Sequence, residues 1–367
     1  MTNVETWAGA RSALPAYIPE FDALRGLAAL AVCVGHFNVF FEIRGASTIA
    51  RQLPWIGVDL FFVLSGYLIT NILLSVNEAA PAGTKFRWMM CTFYPRRACR
   101  ILPLYYLVVC IFFVVSSNIR ANALWFLTYT VNIGKLVDPP GSFAPLNHFW
   151  TLAVEEQFYV MWPLVVLFAK RTWLPMICVA GIVSGFLTRA VIVGCDGNSF
   201  AATQLTPCCL DPLLFGVYFA VRSKTHDKRQ FKRPTIVIGA ALTAFVLILG
   251  SVEVTEVLGR TAVSMGFAGF IDSVDSGFRR PNLWLLRLAP LRYVGTISYG
   301  LYVWHMPIDW LLSNWLKDQI ILKFGSFSHL IHGSSLLVIS LLVASISWFA
   351  FERPINALKV RFPYRYS

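Results

Sequence analysis

Long apolar runs, nearly free of charge, recur along the chain at 54–76, 101–118, 150–169, 173–193, 235–251, 293–313 and 333–351. A hydrocarbon core about 30 Å thick needs about 20 apolar residues in a helix, so each run predicts a membrane-crossing helix. Less clean runs at 21–42, 205–221 and 261–272 carry the same pattern broken by polar residues. The expected fold is therefore all-α: one polytopic membrane domain with about ten transmembrane helices. The segment "ANALWFLTYTVNI" at 121–133 is apolar but short, and reads as a re-entrant or interfacial piece of an outer loop.

Composition agrees: of 367 residues 57% are hydrophobic and 14% charged, which excludes an average soluble domain. A net charge of +12 would direct a soluble protein to nucleic acid. Here the placement of the charges decides instead. Alternate loops, the tail and Arg11 hold 22 of the 31 basic residues, and the intervening loops hold seven. By the positive-inside rule the basic loops and both termini are expected on the cytoplasmic side. Counting 121–133 as a span would break that alternation. The first 18 residues show no basic stretch followed by an apolar core, so no cleavable signal peptide is expected. The expected layout is a cytoplasmic segment at 1–18, a membrane domain at 19–354 and a basic tail at 355–367.

Eight cysteines lie without CxxC or Cys/His ligand spacing, so no metal or redox motif is visible. Most read as small buried apolar residues. Cys195 with Cys208 or Cys209, flanking an outer loop, is the one place where a disulfide is open.

Ionisable groups inside spans cost several kcal/mol unless they face protein or a wet cavity, so each is a site hypothesis. They are Arg25, His36, Asp59, Glu155, Glu156, Arg189, Asp211, His305 and Asp309. Arg25 and His36 are eleven residues apart, within roughly 20° of one helix face and about 16 Å apart along it. Asp59 enters its span at a depth comparable to His36, where it is expected to orient the imidazole, with Glu155 as the alternative. In "NHFWTLAVEEQFYVMWP", His148, Thr151 and Glu155 share one face, while Glu156 lies about 100° round. Arg96, Arg97 and Arg100 stand just ahead of a span, where guanidinium groups suit phosphate but also serve orientation and anionic lipid. Ser298, Tyr302, His305 and Asp309 form one polar stripe at spacings of four, three and four.

Phosphate-binding arginines at the cytoplasmic end and a histidine with acids in the outer half describe a route through the membrane ending at a proton acceptor. A coenzyme A thioester has the matching shape, an anionic head on a long arm. The expected chemistry is general-base acyl transfer from that thioester to a hydroxyl arriving from outside. His36 is the base. A covalent acyl intermediate on Thr151 or Ser298 ranks lower, because no G-x-S-x-G elbow is present. The competing reading is a transporter or flippase for a glycan or lipid-linked sugar, which also places His, Asp and Glu at mid-depth. Related halves with broken helices, which would favour it, are not visible. A non-catalytic scaffold gives no reason for the Arg25/His36 stripe.

Six segments resemble the acyltransferase 3 family of bacterial integral-membrane acyltransferases: "FDALRGLAALAVCVGHF", "GVDLFFVLSGYLI", "RRACRILP", "HFWTLAVEEQFYVMWP", "ISYGLYVWHMP" and "FERP". They run in order from residue 21 to 354. The resemblance implies O-acylation, with acetyl-CoA as donor and no metal. The implied acceptors are exopolysaccharide, O-antigen or lipo-chitooligosaccharide nodulation factor, at the bacterial inner membrane. It marks Arg25, Arg97 and Arg100 for the donor, and His36, Asp59, His148 and Glu155 for catalysis. Thr151, Ser298, Tyr302 and His305 are the cavity-lining candidates. Thr151 stands where the family often has Ser, and keeps the hydroxyl. Some members add an extracytoplasmic hydrolase-like domain not contained in this sequence, so acceptor handling is expected in the membrane core.

Overall fold

The computed structural model describes residues 17–39, 46–79, 81, 83–138, 141–196, 199–224, 236, 238–241, 243, 254–276, 280–324 and 328–363. Among them the regular structure is helical, with no strand. The frame is built from α1 (Pro19–His36), α2 (Ala46–Ala79), α3 (Tyr94–Val115), α4 (Phe149–Phe168) and α5 (Leu174–Asp196), followed by α6 (Leu210–Ser223), α7 (Arg260–Asp275), α8 (Ala289–Thr296), α9 (Ser298–Phe324) and α10 (Ser328–Ser347). α1 opens on Pro19, whose missing N–H costs nothing in a first turn, with Glu20 and Asp22 at the positive end of the helix dipole. α3 also opens on a proline, after a π-helical turn at Met89–Phe93.

Among the described residues, five helical stretches are long and apolar enough to cross a membrane: Arg51–Glu78, Lys85–Val115, Phe149–Phe168, Arg171–Cys195 and Ser328–Arg361. They coincide with the runs at 54–76, 101–118, 150–169, 173–193 and 333–351. The other expected spans depart from the plain pattern. α1 has 18 residues and carries Glu20, Asp22 and Arg25, and α6 and α7 have only 14 and 16 residues. The run at 293–313 is two helices, α8 and α9, which meet at Ile297. α9 then continues to Phe324, through much of the expected loop at 314–332. The run at 235–251 lies almost wholly outside the described residues. The segment at 121–133 falls in the short helices Ser117–Ala121, Ala123–Leu127 and Val131–Val137, none long enough to cross.

Exposure shows which faces meet lipid. Val179, Val183, Leu187 and Val191 form an exposed apolar stripe on α5, and Val338, Leu342 and Ile346 form another on α10. Such stripes at four-residue spacing suit hydrocarbon rather than water, and the protein is membrane-embedded.

Inside, small residues let backbones touch. A Cβ on Gly66 of α2 would collide with the Leu213 carbonyl of α6, and one on Gly216 of α6 with the Val63 carbonyl of α2. A Cβ on Gly26 would lie 2.5 Å from the Leu291 carbonyl oxygen, and one on Gly295 would strike the Asp22 carbonyl. α1 and α8 thus cross at backbone contact, which fixes Arg25 relative to the start of α9.

Two buried ion pairs tie α2, α5, α6 and α7. Arg189 donates to both carboxylate oxygens of Asp211, at 2.6 and 2.7 Å, and to the Thr261 hydroxyl at 2.7 Å. Arg260 Nε donates to Asp59 Oδ1 at 2.7 Å. Cys195, Cys208 and Cys209 are all free thiols, so the structure contains no bridge between them.

Candidate active site

A cavity of about 90 Å³ lies between α1, α2, α3, α4 and α9. Arg25, Arg97 and Arg100 line one end. Arg25 is engaged by Asp22, one turn earlier, at 2.8 Å. Among the described residues no carboxylate forms an ion pair with Arg97 or Arg100. Arg97 instead lies over the rings of Phe93 and Tyr159, at 5.8 and 5.2 Å. Two sheltered guanidinium groups with no carboxylate in ion-pair contact could hold an anion, since each offers a donor fork that phosphate oxygens match.

Along the cavity, Glu155 accepts hydrogen bonds from the hydroxyls of Ser65 and Tyr159, joining α2 to α4. Glu156 also faces the cavity, and its Oε1 is buried with no hydrogen-bond partner among the described residues. Thr151, Ser298 and Tyr302 line the cavity too. The Thr151 and Tyr302 hydroxyls are hydrogen-bonded to each other and lie 2.9 and 3.1 Å from the His148 carbonyl oxygen, so that one donates to the carbonyl while the other donates to its neighbour.

Behind that pair stand three histidines, none of them in the cavity wall. The His148 and His305 rings meet edge to face with centroids 4.7 Å apart, and His305 stacks on His36 at 5.1 Å. Hydrogen-bond partners fix the ring protons, because a backbone carbonyl only accepts. His305 Nδ1 lies 2.6 Å from the Tyr302 carbonyl oxygen, so it carries the proton and leaves Nε2 as acceptor. His36 Nδ1, 3.0 Å from that Nε2, must then be the donor. His36 Nε2 is left bare, in the state a general base requires. His148 Nε2 donates to the Val303 carbonyl at 3.2 Å, and its buried Nδ1 has no partner among the described residues.

The structure thus brings Arg25, Arg97, Arg100, Glu155, Glu156, Thr151, Ser298 and Tyr302 around one cavity, with His148, His305 and His36 in a layer behind. Two expected contacts are corrected. Asp59 does not meet His36, because it is held by Arg260, a fully charged partner that a neutral imidazole does not displace. Glu155 does not meet His36 either, being occupied by Ser65 and Tyr159. The imidazole is oriented by His305, which sequence spacing suggested only as a lining residue. Arg260 escaped notice because it falls at the edge of a polar loop. Ser65 and Tyr159 lie inside the quoted motifs but resemble ordinary span residues.

A sequence profile described as an acyltransferase domain matches residues 18–349. Peptidoglycan O-acetyltransferase OatA of Listeria monocytogenes is 30% identical over 327 residues, covering 80% of this chain and 49% of that protein. The putative peptidoglycan O-acetyltransferase YrhL of Bacillus subtilis is 30% identical over 386 residues, covering 93% of this chain and 55% of its own length. O-acetyltransferase OatA of Staphylococcus aureus is 27% identical over 369 residues, covering 93% of this chain and 58% of that protein. The chain therefore spans about half the length of these curated relatives. No solved structure matches. The profile match takes in every residue of the cavity wall and all three histidines, and the chain belongs to the acyltransferase 3 family.

Proposed function

We propose that the protein is a membrane O-acetyltransferase of the bacterial inner membrane. It moves an acetyl group from a cytoplasmic coenzyme A thioester to a hydroxyl of a glycan on the outer side. One observation carries this reading: two guanidinium groups with no ion-paired carboxylate share a cavity with Thr151 and Tyr302, and behind that pair His305 leaves His36 with a bare Nε2.

With the basic loops inside, Arg97 and Arg100 take the pyrophosphate and Arg25 adds a cation already half engaged by Asp22. The thioester arm runs past Glu155 and Glu156 to Thr151 and Tyr302. Its last step to His36 passes the Tyr302 ring, which must turn aside. There the acceptor oxygen attacks the thioester carbonyl while His36 Nε2 removes its proton. The C–S bond breaks as the ester C–O bond forms, and the leaving thiolate takes the proton back from His36. A positioned base of this kind contributes about 10²–10⁴-fold, and orientation and charge stabilisation supply the rest.

The names of the relatives support a choice of acceptor. Two of the three are peptidoglycan O-acetyltransferases by name, one of them putative. That makes peptidoglycan the leading acceptor, ahead of exopolysaccharide, O-antigen and nodulation factor.

The test is coenzyme A binding to the purified protein, followed by acetyl transfer in membranes. Arg97→Ala with Arg100→Ala should weaken binding at least about tenfold, the effect of losing one or more charged hydrogen bonds. His36→Ala should bind coenzyme A like the wild type and transfer no acetyl group. Absence of coenzyme A binding by the wild type, or full transfer by His36→Ala, would sink the proposal.

A further inference from the structure

The stretch 353–363 folds back against the arginine-bearing start of α3. Arg96 Nη1 donates to the carbonyls of Lys359 and Phe362, at 2.8 and 3.0 Å, and the Thr92 hydroxyl reaches the Pro363 carbonyl at 3.4 Å. Three carbonyls of the tail are thereby fixed beside Arg97 and Arg100. The half-buried Lys359 ammonium lies close enough to Arg96, Arg97 and Arg100 to interact with their charges. Among the described residues no carboxylate forms an ion pair with Lys359. Like charges gathered in a partly buried place repel one another unless an anion arrives from outside.

Position separates the roles of these cations. Arg97 and Arg100 line the cavity, whereas Lys359 is not in its wall. A ligand satisfying both carries phosphate at two places, one against the arginines of the cavity and one against Lys359. Coenzyme A has that form, with a pyrophosphate and a ribose 3′-phosphate. A phosphomonoester bears a charge of about −1.5 to −2 at pH 7, a match for the cation that the cavity wall does not include.

We infer that Lys359 binds the ribose 3′-phosphate of the donor. This stretch, beyond residues 18–349 of the family match, then forms part of the donor site. The inference rests on the coenzyme A reading above. Anionic lipid headgroups offer the same phosphate chemistry to a basic tail, and the test separates the two sources.

Affinities for coenzyme A and for 3′-dephospho-coenzyme A are measured on the full chain, in detergent and in nanodiscs with and without phosphatidylglycerol. Wild type should prefer coenzyme A about tenfold, the worth of one charge-assisted contact. Lys359→Gln should lose that preference, with dephospho-coenzyme A binding unchanged, and Lys359→Arg should keep it. No preference in the wild type, an equal loss for both ligands, or a loss confined to anionic nanodiscs would overturn the inference. Should the wild type bind neither ligand, the coenzyme A reading itself falls. Should it bind coenzyme A through Arg97 and Arg100 while Lys359→Gln matches it, only the role of Lys359 falls.

Discussion

His36 Nδ1 lies 3.0 Å from His305 Nε2, and His305 Nδ1 is in turn held by the Tyr302 carbonyl at 2.6 Å. A histidine stands here where hydrolase triads place a carboxylate. It fixes the tautomer of His36 without bringing a negative charge into the membrane interior, where an ion is costly.

Replacing His305 should therefore slow the chemical step and leave donor binding alone. His305→Phe removes the acceptor for His36 Nδ1–H and is expected to lower kcat about 10²-fold, the low end of what a positioned base contributes. His305→Gln, whose amide oxygen accepts the same hydrogen bond, should retain more activity. Steady-state transfer measured beside coenzyme A affinity checks both. A wild-type kcat in His305→Phe would remove this residue from the reaction.

Asp59 offers a second test, because Arg260 holds it away from His36. Asp59→Ala leaves a buried guanidinium without its carboxylate, a change that costs about 3–5 kcal/mol. The expected result is poor folding and a lower Tm. Replacing both partners, as Asp59→Leu with Arg260→Met, should restore stability and keep acetyl transfer, since apolar replacement of a buried pair is often neutral. A double variant that folds well yet is as inactive as His36→Ala would return Asp59 to the reaction.

These two residues show what was legible in the sequence. The helices facing lipid were readable because hydrocarbon thickness imposes their length and apolarity, as Val179, Val183, Leu187 and Val191 illustrate. The polar stripe of α9 was readable from its spacing, and the arginines from their place at a helix entrance. The partner of His36 was not, because 269 residues separate it from His305 and a carboxylate looked the better match. α1, α6 and α7 read less cleanly because they pack on protein through much of their surface, which relaxes the demand for an uninterrupted apolar run.

Adjacent Glu155 and Glu156 should respond in opposite ways. Glu155→Ala removes the carboxylate that accepts from Ser65 and Tyr159 and leaves these hydroxyls only their bond to each other, and each hydrogen bond to a charged group is worth about 1.5–3 kcal/mol. Its Tm should fall clearly. Glu156→Gln removes a carboxylate whose Oε1 has no partner, so stability should hold or rise. Thermal unfolding of the two variants in one detergent decides the matter, and equal losses would contradict these bonding patterns.

Lys135 predicts a pH dependence in the segment that leads to His148. It sits on the short helix Val131–Val137, where its Nζ donates to the Asn147 carbonyl at 3.3 Å. Burial pushes its ammonium down from the ordinary 10.5 to about 8. The folded state therefore holds this proton less tightly than the unfolded chain does. Stability must then rise with pH between about 8 and 10.5, and the penalty for burying the charge is fully present below about 8. Lys135→Met has no such group. Across that interval the wild type should gain Tm relative to Lys135→Met by a few degrees, with no change in the difference below it. Parallel curves over the whole range would mean that Lys135 keeps its charge solvated in the folded protein.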